Sequence, residues 1–277
     1  MGNQSFKTLS IDDFLQITSW PDFSKLIKKE HDKVLAVQLP DPSHITLTPT
    51  EIPSTYIHAN FVNGFKEKRK FICCQAPKKN TCEHFWRMVL EQESHIIVSL
   101  TKTDKGGFVC YEYWLNAEEG MEIFGRYVIR TLEIIKESSF TKTRLRLTDV
   151  CTDASREIHH FWYTDWPDVG NPISPVQILD LILQMNKKRK ELTQAAGFKL
   201  GPIVVHCAEG VGRTGIFCTI DNALSQLRKE QTVCLPQTVL KIRKQRHSSV
   251  FLIGQYAFCY KAVRYALITD LIEKILY

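Results

Sequence analysis

The sequence lacks any long apolar run. No stretch approaches the roughly 18 consecutive apolar residues typical of a membrane-spanning helix, and the N-terminal residues contain no apolar core of the kind that a signal peptide carries. We therefore expect no stable membrane insertion.

Paired cysteine spacings are also missing. The nine cysteines are an odd number, and none falls in a Cys-x-x-Cys pair. The densest group, Cys73, Cys74, Cys82 and His84, does not have the spacing of a zinc site. Scattered thiols are typical of a reducing, cytosol-like compartment. The sequence thus predicts a cytoplasmic chain with no metal site.

Proline-, glycine- or serine-rich linkers, internal repeats and low-complexity segments are absent as well. A length of 277 residues suits one large domain or two small ones. Because nothing marks a boundary, we expect a single domain over residues 1–277.

The charge excess is modest, with a net charge of +6. The densest basic run, Lys66–Lys70, follows Asn63-Gly64, so it is predicted at a hairpin. Two interpretations stay open, a solvated hairpin tip or a surface that attracts acidic substrates or phosphoinositides. No aromatic residues alternate with the basic ones as single-strand binding would need, and we expect no nucleic-acid partner.

Hydrophobic periodicity predicts helices that alternate with strands. Residues 11–30, interrupted by Pro21, read as two short N-terminal helices. Strands are predicted at 55–76, 95–100, 122–135, 142–148 and 158–163, and helices at 82–92, 176–191, 235–244 and 251–267. This order, with a middle portion that reads as antiparallel, predicts an α/β fold with a mixed sheet.

One turn between a buried strand and a helix has the composition of an anion site. Three β-branched residues, Ile203–Val205, predict a strand buried on both faces, and apolar residues recur at helical spacing after Thr214. In the turn between them, Gly210 and Gly212 let backbone N–H groups converge on one point. The positive end of the helix dipole adds to that point, so the turn is predicted to hold an anion.

The reactive groups lie at the rims of this turn. A helix N-terminus and an arginine favour the thiolate form of a cysteine, so Cys207 is predicted to be a nucleophile that needs no separate base. The planar guanidinium of Arg213 can hold two phosphoryl oxygens, and the Thr214 hydroxyl can bond the thiolate when it leaves. The predicted phosphate-binding residues are Ala208, Glu209, Gly210, Val211, Gly212 and Arg213.

The turn has three other interpretations. An isolated cysteine here would be a structural residue of a doubly wound sheet. A nucleotide-binding loop needs Gly-Lys-Ser/Thr, whereas this chain has Arg213 at the lysine position. A papain-like protease is a poor fit, because that family's signature does not surround Cys207.

Asp168 is the candidate general acid. Cleavage of a phosphate ester needs a proton for the leaving oxygen. Pro167 stiffens the segment, Trp166 flanks it, and Gly170 provides a hinge that lets it close over the site. The alternative is an ordinary turn aspartate after proline. His206 precedes Cys207 on the strand, so its side chain is predicted on the opposite face, as a core histidine.

The turn resembles the signature of the cysteine-dependent protein tyrosine phosphatases, which is His-Cys, five residues, Arg and then Ser or Thr. Other segments resemble the family in the same order between about residue 30 and about residue 265. They are Tyr56–Asn60, Gln75–Pro77, Asn80–Trp86, Tyr113–Trp114, His160–Tyr163, Trp166–Asp168, Gly170, Arg243, Arg246 and Gln255–Tyr256. The chain also looks like the branch of the family carried by the bracoviruses of parasitoid wasps.

The resemblance implies a highly twisted mixed sheet flanked by helices, without metal or other cofactor. It implies hydrolysis of phosphotyrosine in proteins through a phosphocysteine, with Cys207 attacking phosphorus and Asp168 protonating the leaving group. Arg213 and the loop amides would hold the oxygens, and Gln255 would lie near the phosphate. The partners would be phosphotyrosine proteins. The chain is expected to be a monomer and, in a viral setting, to act in the host cytoplasm.

Several positions depart from the family pattern. Val34 and Ala36 stand where the family has a substrate-stacking tyrosine and an aspartate, so a Val34→Tyr change is expected to restore the ring. Glu209 adds a carboxylate to the anion site, and Ser248 replaces a glycine at its rim. Phe251 replaces the glutamine that helps to place the hydrolytic water, so slow hydrolysis of the phosphocysteine is expected.

These departures leave two alternatives beside a tyrosine-specific enzyme. One is a phosphatase with a relaxed substrate range, open to phosphoserine peptides or phosphoinositides. The other is a pseudophosphatase, a binding module that sequesters phosphoproteins without turnover. The intact Cys207, Arg213 and Asp168 favour an enzyme.

Overall fold

The fold is built on one mixed eight-stranded sheet. The computed structural model describes residues 6–39, 44–48, 55–104, 106, 109–167, 170–172, 174–269 and 271. The sheet strands are β2 (Ala59–Gly64), β3 (Glu67–Gln75), β4 (Ile96–Ser99), β5 (Met121–Phe124), β6 (Tyr127–Lys136), β7 (Phe140–Asp149), β8 (Ala154–Tyr163) and β9 (Ile203–Cys207). Their spatial order is β2-β3-β9-β4-β8-β7-β6-β5. Strands β3, β9, β4 and β8 run parallel, and the other neighbours pair antiparallel.

Two short strands and seven helices complete the described part of the chain. Strand β1 (Leu9–Ser10) pairs antiparallel with β10 (Thr232–Val233). The helices are α1 (Ile11–Thr18), α2 (Phe23–Leu35), α3 (Cys82–Glu91), α4 (Val176–Ala196), α5 (Gly212–Glu230), α6 (Leu235–Arg243) and α7 (Ile253–Ile268). The two predicted N-terminal helices are confirmed, although the second continues to Leu35. None of the described helices combines the length and apolar character that crossing a bilayer requires.

Each face of the sheet has its own core. On strand β9, Ile203 and Val205 join one cluster and Val204 joins the other, as the alternation of side chains along a strand requires. The first cluster includes residues of α4, α5, α6 and α7, and the second includes residues of α3. Central strand β9 is therefore covered on both faces, which its run of β-branched residues predicted.

The prediction of one strand over residues 122–135 is wrong. The chain turns between β5 and β6, where Gly125 adopts φ +59°. A side chain at Gly125 would collide with the Glu83 carboxylate, with an added Cβ only 1.9 Å from its Cδ. The positive φ thus favours glycine at this turn, and the Glu83 side chain fills the space beside it.

Candidate active site

Strand β9 delivers Cys207 to the edge of the sheet where the parallel strands end. All five residues of β9 are buried, and Cys207 itself is 4% exposed. The residues paired with Cys207 and His206 are Gln75 at the end of β3 and Ser99 at the end of β4. Helix α5 begins at Gly212 and carries Arg213 and Thr214 in its first turn. The predicted strand, turn and helix are confirmed.

Gly210 gives the turn its shape. Its φ is +70°, in the left-handed region that favours glycine. An added Cβ would lie 2.0 Å from the Cys74 carbonyl oxygen, so the neighbouring strand leaves no room for a side chain. The turn is also pinned to β3, because Ala76 N donates to the Ala208 carbonyl at 3.1 Å.

A buried arginine from outside the turn holds its carbonyls. Arg246 is 2% exposed, and its guanidinium donates to the carbonyl oxygens of Gly210 at 3.1 Å and of Glu209 at 3.0 Å. Asn60 Oδ1 accepts a third bond from it at 2.7 Å. In a trans peptide the C=O and the following N–H point in opposite directions, so the N–H groups of Gly210 and Val211 point away from Arg246. Those N–H groups are thereby left available to an anion.

Sequence reasoning matched Arg246 to the family pattern but gave it no place in the site. Its role depends on a contact between two distant segments, which periodicity and spacing do not reveal. Burial lowers the pKa of this guanidinium from its ordinary value.

Arg213 lies between the turn that follows Cys207 and the segment that precedes Asp168. Its guanidinium donates to the Leu100 carbonyl at 3.2 Å and to the Pro167 carbonyl at 3.1 Å. Its central carbon is 5.8 Å from the centroid of the Trp166 ring, a cation–π contact. The structure thus joins the predicted phosphate-holding arginine to the predicted acid segment.

Asp168 lies outside the described residues, but its flanks are described. Trp166 is 2% exposed, and its indole N–H donates to the Gly170 carbonyl at 3.2 Å. This bond links the two described flanks of position 168. On the N-terminal flank, Pro167 also accepts the bond from Arg213.

Two further side chains lie against the turn. Thr214 is fully buried, and its hydroxyl has no hydrogen-bond partner within the described part of the chain. Gln255 lies against Gly212, since a Cβ added to Gly212 would be 2.6 Å from Gln255 Nε2. Its Oε1 accepts a bond from Leu252 N at 3.4 Å at the start of α7. Both side chains were candidate site residues.

His206 is a core histidine, as predicted. Its Nε2 lies 2.7 Å from the Tyr113 hydroxyl, and that hydroxyl also lies 2.7 Å from His160 Nε2. Burial lowers the pKa of His206 to about 3 and lowers that of His160 well below its ordinary value. Both rings are therefore neutral at physiological pH. They tie β9 and β8 to Tyr113 on the face of the sheet opposite Cys207.

A small cleft of about 420 Å³ opens beside the turn. Its lining combines Glu209 and Val211 of the turn with Arg246 and three histidines, His44, His58 and His247. Within the described residues, no group of three or more histidine, cysteine or acidic side chains could hold a metal ion.

Comparison with known proteins places this arrangement in a family. The family model described as protein-tyrosine phosphatase matches residues 28–265. The chain belongs to the protein-tyrosine phosphatase family. Enzymes of this family act through a phosphocysteine intermediate, and the matched range includes the turn with Cys207 and Arg213.

Viral and animal proteins named as tyrosine phosphatases are similar in sequence to this chain. The tyrosine phosphatase-like protein H5 of Microplitis demolitor bracovirus is 82% identical over 74% of this chain and 95% of its own length. Tyrosine phosphatase H3 of the same virus is 62% identical over 94% of this chain and 82% of its own length. Human tyrosine-protein phosphatase non-receptor type 9 is 35% identical over 75% of this chain and 36% of its own length. The resemblance to the bracovirus branch is confirmed.

One departure from the family pattern has a different meaning from the one expected. Val34 lies on α2, is fully buried and belongs to the main core cluster. A tyrosine at this position would enter the core and not the substrate pocket, so the expectation for Val34→Tyr is wrong. Its place in the sequence alone does not show that α2 continues to Leu35 and buries this side chain.

The other departures lie at the surface around the turn. Glu209 is exposed, so its carboxylate has room to stay clear of a bound anion. Ser248 has φ +60°, the conformation for which the family's glycine is suited. Phe251 is 55% exposed and belongs to neither of the described core clusters.

Proposed function

We propose that this chain hydrolyses phosphotyrosine in proteins, with Cys207 as nucleophile. The observation that carries the proposal is the orientation of the turn. Arg246 holds the carbonyls of residues 209 and 210 on one side, so their peptide N–H groups are left for a phosphoryl group beside the thiol. The positive end of α5 and the Arg213 guanidinium supply the remaining positive charge.

The reaction proceeds in two displacements. The Cys207 thiolate forms a bond to phosphorus while the tyrosine oxygen leaves, and Asp168 gives that oxygen its proton. Water then attacks phosphorus, the bond to sulphur breaks, and inorganic phosphate departs. The buried Thr214 hydroxyl, which lacks a described partner, is suited to stabilise the thiolate as it leaves.

Arg213 couples substrate binding to the acid loop. In this structure one of its nitrogens donates to the Pro167 carbonyl, directly before Asp168. A phosphoryl oxygen is a stronger acceptor than a neutral carbonyl, because the hydrogen bond is charge-assisted. We infer that phosphate takes over this donor and thereby frees the loop to close on the substrate.

The test is release of phosphate from a phosphotyrosine peptide by the purified chain. We expect turnover by the parent and none by Cys207→Ser, which retains phosphopeptide binding because the turn and Arg213 are unchanged. A phosphoserine peptide of the same sequence measures the substrate range. Binding without turnover in the parent would instead establish the pseudophosphatase alternative, and comparable specificity constants for both peptides would establish the relaxed range.

The setting of the enzyme is also a proposal. All nine cysteines are free thiols, which suits a reducing compartment, and the relatives described above include viral proteins. We infer a monomeric, single-domain phosphatase over residues 1–277 that acts in the cytoplasm of a host cell. Light scattering tests the monomeric state. Fractionation of insect cells that express the tagged chain tests the cytoplasmic location.

A further inference from the structure

A second cleft lies between helices α4 and α5, beside the start of strand β3. Its volume is about 640 Å³, which is within the range of small-molecule sites. Among the described residues that line it, six are lysine or arginine and only one, Glu67, is acidic. The six are Lys70, Lys187, Arg189, Lys190, Arg228 and Lys229.

The floor of this α4–α5 cleft is fixed by buried polar contacts. Lys70 Nζ is almost completely buried and donates to Asp221 at 2.6 Å and to Asn186 at 3.3 Å. Asn186 in turn donates to Asp221 at 2.8 Å. On one wall, Arg189 donates to Glu67 at 2.9 Å. Two cations are thus matched by two carboxylates, and their positions are set before any ligand arrives.

Four further cations line the cleft, two on each helix. Lys187 and Lys190 on α4 and Arg228 and Lys229 on α5 are all exposed along its rim. The polar side chains between them include Gln184, Gln194, Thr193 and Ser225, which offer further hydrogen bonds. A cleft lined by one sign of charge concentrates ions of the opposite sign.

The cleft is separate from the catalytic turn. Helix α5 starts at the turn and ends at Glu230, so Arg228 and Lys229 are in its last turn. With a rise of about 1.5 Å per residue, the side chains at this end lie about 24 Å along the helix from Arg213. A phosphotyrosine held by Cys207 and Arg213 does not reach them.

We propose that the α4–α5 cleft binds a compact ligand that carries several phosphate groups, either a soluble inositol polyphosphate or the headgroup of a phosphoinositide. The cleft has exposed ammonium groups on both walls, Lys187 on α4 and Lys229 on α5. Several phosphates on one ring can pair with both of them together. The Lys66–Lys70 run contributes to this cleft through Lys70.

Isothermal titration with inositol hexakisphosphate at physiological ionic strength tests the site, with vanadate present to saturate the catalytic turn. The double variant Lys187→Glu/Lys229→Glu should bind at least about tenfold more weakly, since two attractive contacts become repulsive. Lys28→Glu/Lys33→Glu, on the exposed face of α2, is the matched control with the same charge change and should bind like the parent. Thermal melting and phosphopeptide hydrolysis verify that both variants fold.

Binding to lipid vesicles distinguishes a phosphoinositide headgroup from a soluble inositol polyphosphate. Retention on vesicles with phosphatidylinositol bisphosphate, but not on phosphatidylserine vesicles of equal charge, supports a lipid headgroup, and binding of the soluble probe alone supports an inositol polyphosphate. If the α4–α5 variant and the α2 control lost the same affinity for inositol hexakisphosphate, net charge alone would explain the loss. That result would overturn the proposal. Binding of neither probe by the parent would overturn it too. Neither result depends on turnover, so the catalytic proposal stands or fails separately.

Discussion

We expect Gln255 and Phe251 to determine how water reaches the phosphocysteine. Gln255 lies against Gly212 of the turn, whereas the phenyl ring of Phe251 neither donates nor accepts a hydrogen bond. We expect Gln255→Ala to slow the second displacement by up to about 10²-fold, because the water loses its positioning group. Rapid-quench assays should then show a full burst and phosphate on Cys207.

Phe251→Gln tests the second displacement by a change that should make it faster. It restores the amide that the family uses, so steady-state turnover should rise while the burst rate stays nearly constant. The double variant Gln255→Ala/Phe251→Gln is the control and should recover part of the loss. A parent enzyme without a burst, together with a Phe251→Gln variant that is no faster, would show that hydrolysis is not the slow step.

Asp168→Ala should discriminate between substrates by their leaving groups. Without a general acid, a phosphotyrosine protein loses about 10²–10⁴-fold in turnover, whereas an activated aryl phosphate departs as an anion and loses far less. The ratio of specificity constants for the two substrates, in variant and parent, is the measurement. Equal losses on both substrates would exclude Asp168 as the acid.

The segment between α6 and α7 stores backbone strain. Ser248 and Val250 have φ +60° and φ +52°, in the left-handed region. Since that region costs a residue with a side chain about 1–2 kcal/mol, Ser248→Gly should raise the free energy of unfolding by about 1 kcal/mol. Ser155→Gly, in extended strand β8, is the control and should lower it. Urea unfolding measures both, and destabilisation by Ser248→Gly would contradict the argument.

At the scale of the elements, the sequence predicted best where a local pattern coincided with a packing requirement. The run Ile203–Val205 and the spacing after Thr214 identified β9 and α5, because both are buried. The turn at Gly125 was missed because period-two alternation does not show where one strand ends and the next begins. Arg246 was missed as a part of the site because its partners Gly210 and Asn60 come from other segments.

The sequence did not predict the order of the strands in the sheet either. The alternation of helices and strands predicted a mixed sheet, but it does not specify that β9 lies between β3 and β4. The expectation for Val34 failed because its place in the sequence does not show that α2 buries its side chain in the core. Contacts between segments far apart in the chain decide these points.

Over the whole molecule, five histidines contribute to the response of stability to acid. Desolvation lowers the pKa of the fully buried His160 and His206, and also that of the more accessible His58, His95 and His159. Below about pH 6.5 the unfolded chain binds protons that the folded chain excludes, so stability falls as pH falls, for His206 down to about pH 3. Each neutral buried histidine contributes up to about 1.4 kcal/mol per pH unit.

Urea unfolding between about pH 7.5 and about pH 5.5 measures this slope, in a range where carboxylates stay ionised. His160→Gln removes one of the titrating groups and should flatten the pH dependence. The same slope in the variant and the parent would show that His160 makes no contribution.

The position of β9 also sets the order in which the molecule can be completed during synthesis. Strands β3 and β4 flank β9 and have mostly buried residues, yet they emerge from the ribosome long before it. Until residues 203–207 appear, the nascent chain presents two sheet edges that invite pairing with other chains. We expect stalled chains that end before β9 to need chaperones and to lack all activity. Both the need for chaperones and the lack of activity should end together once β9 pairs with β3 and β4.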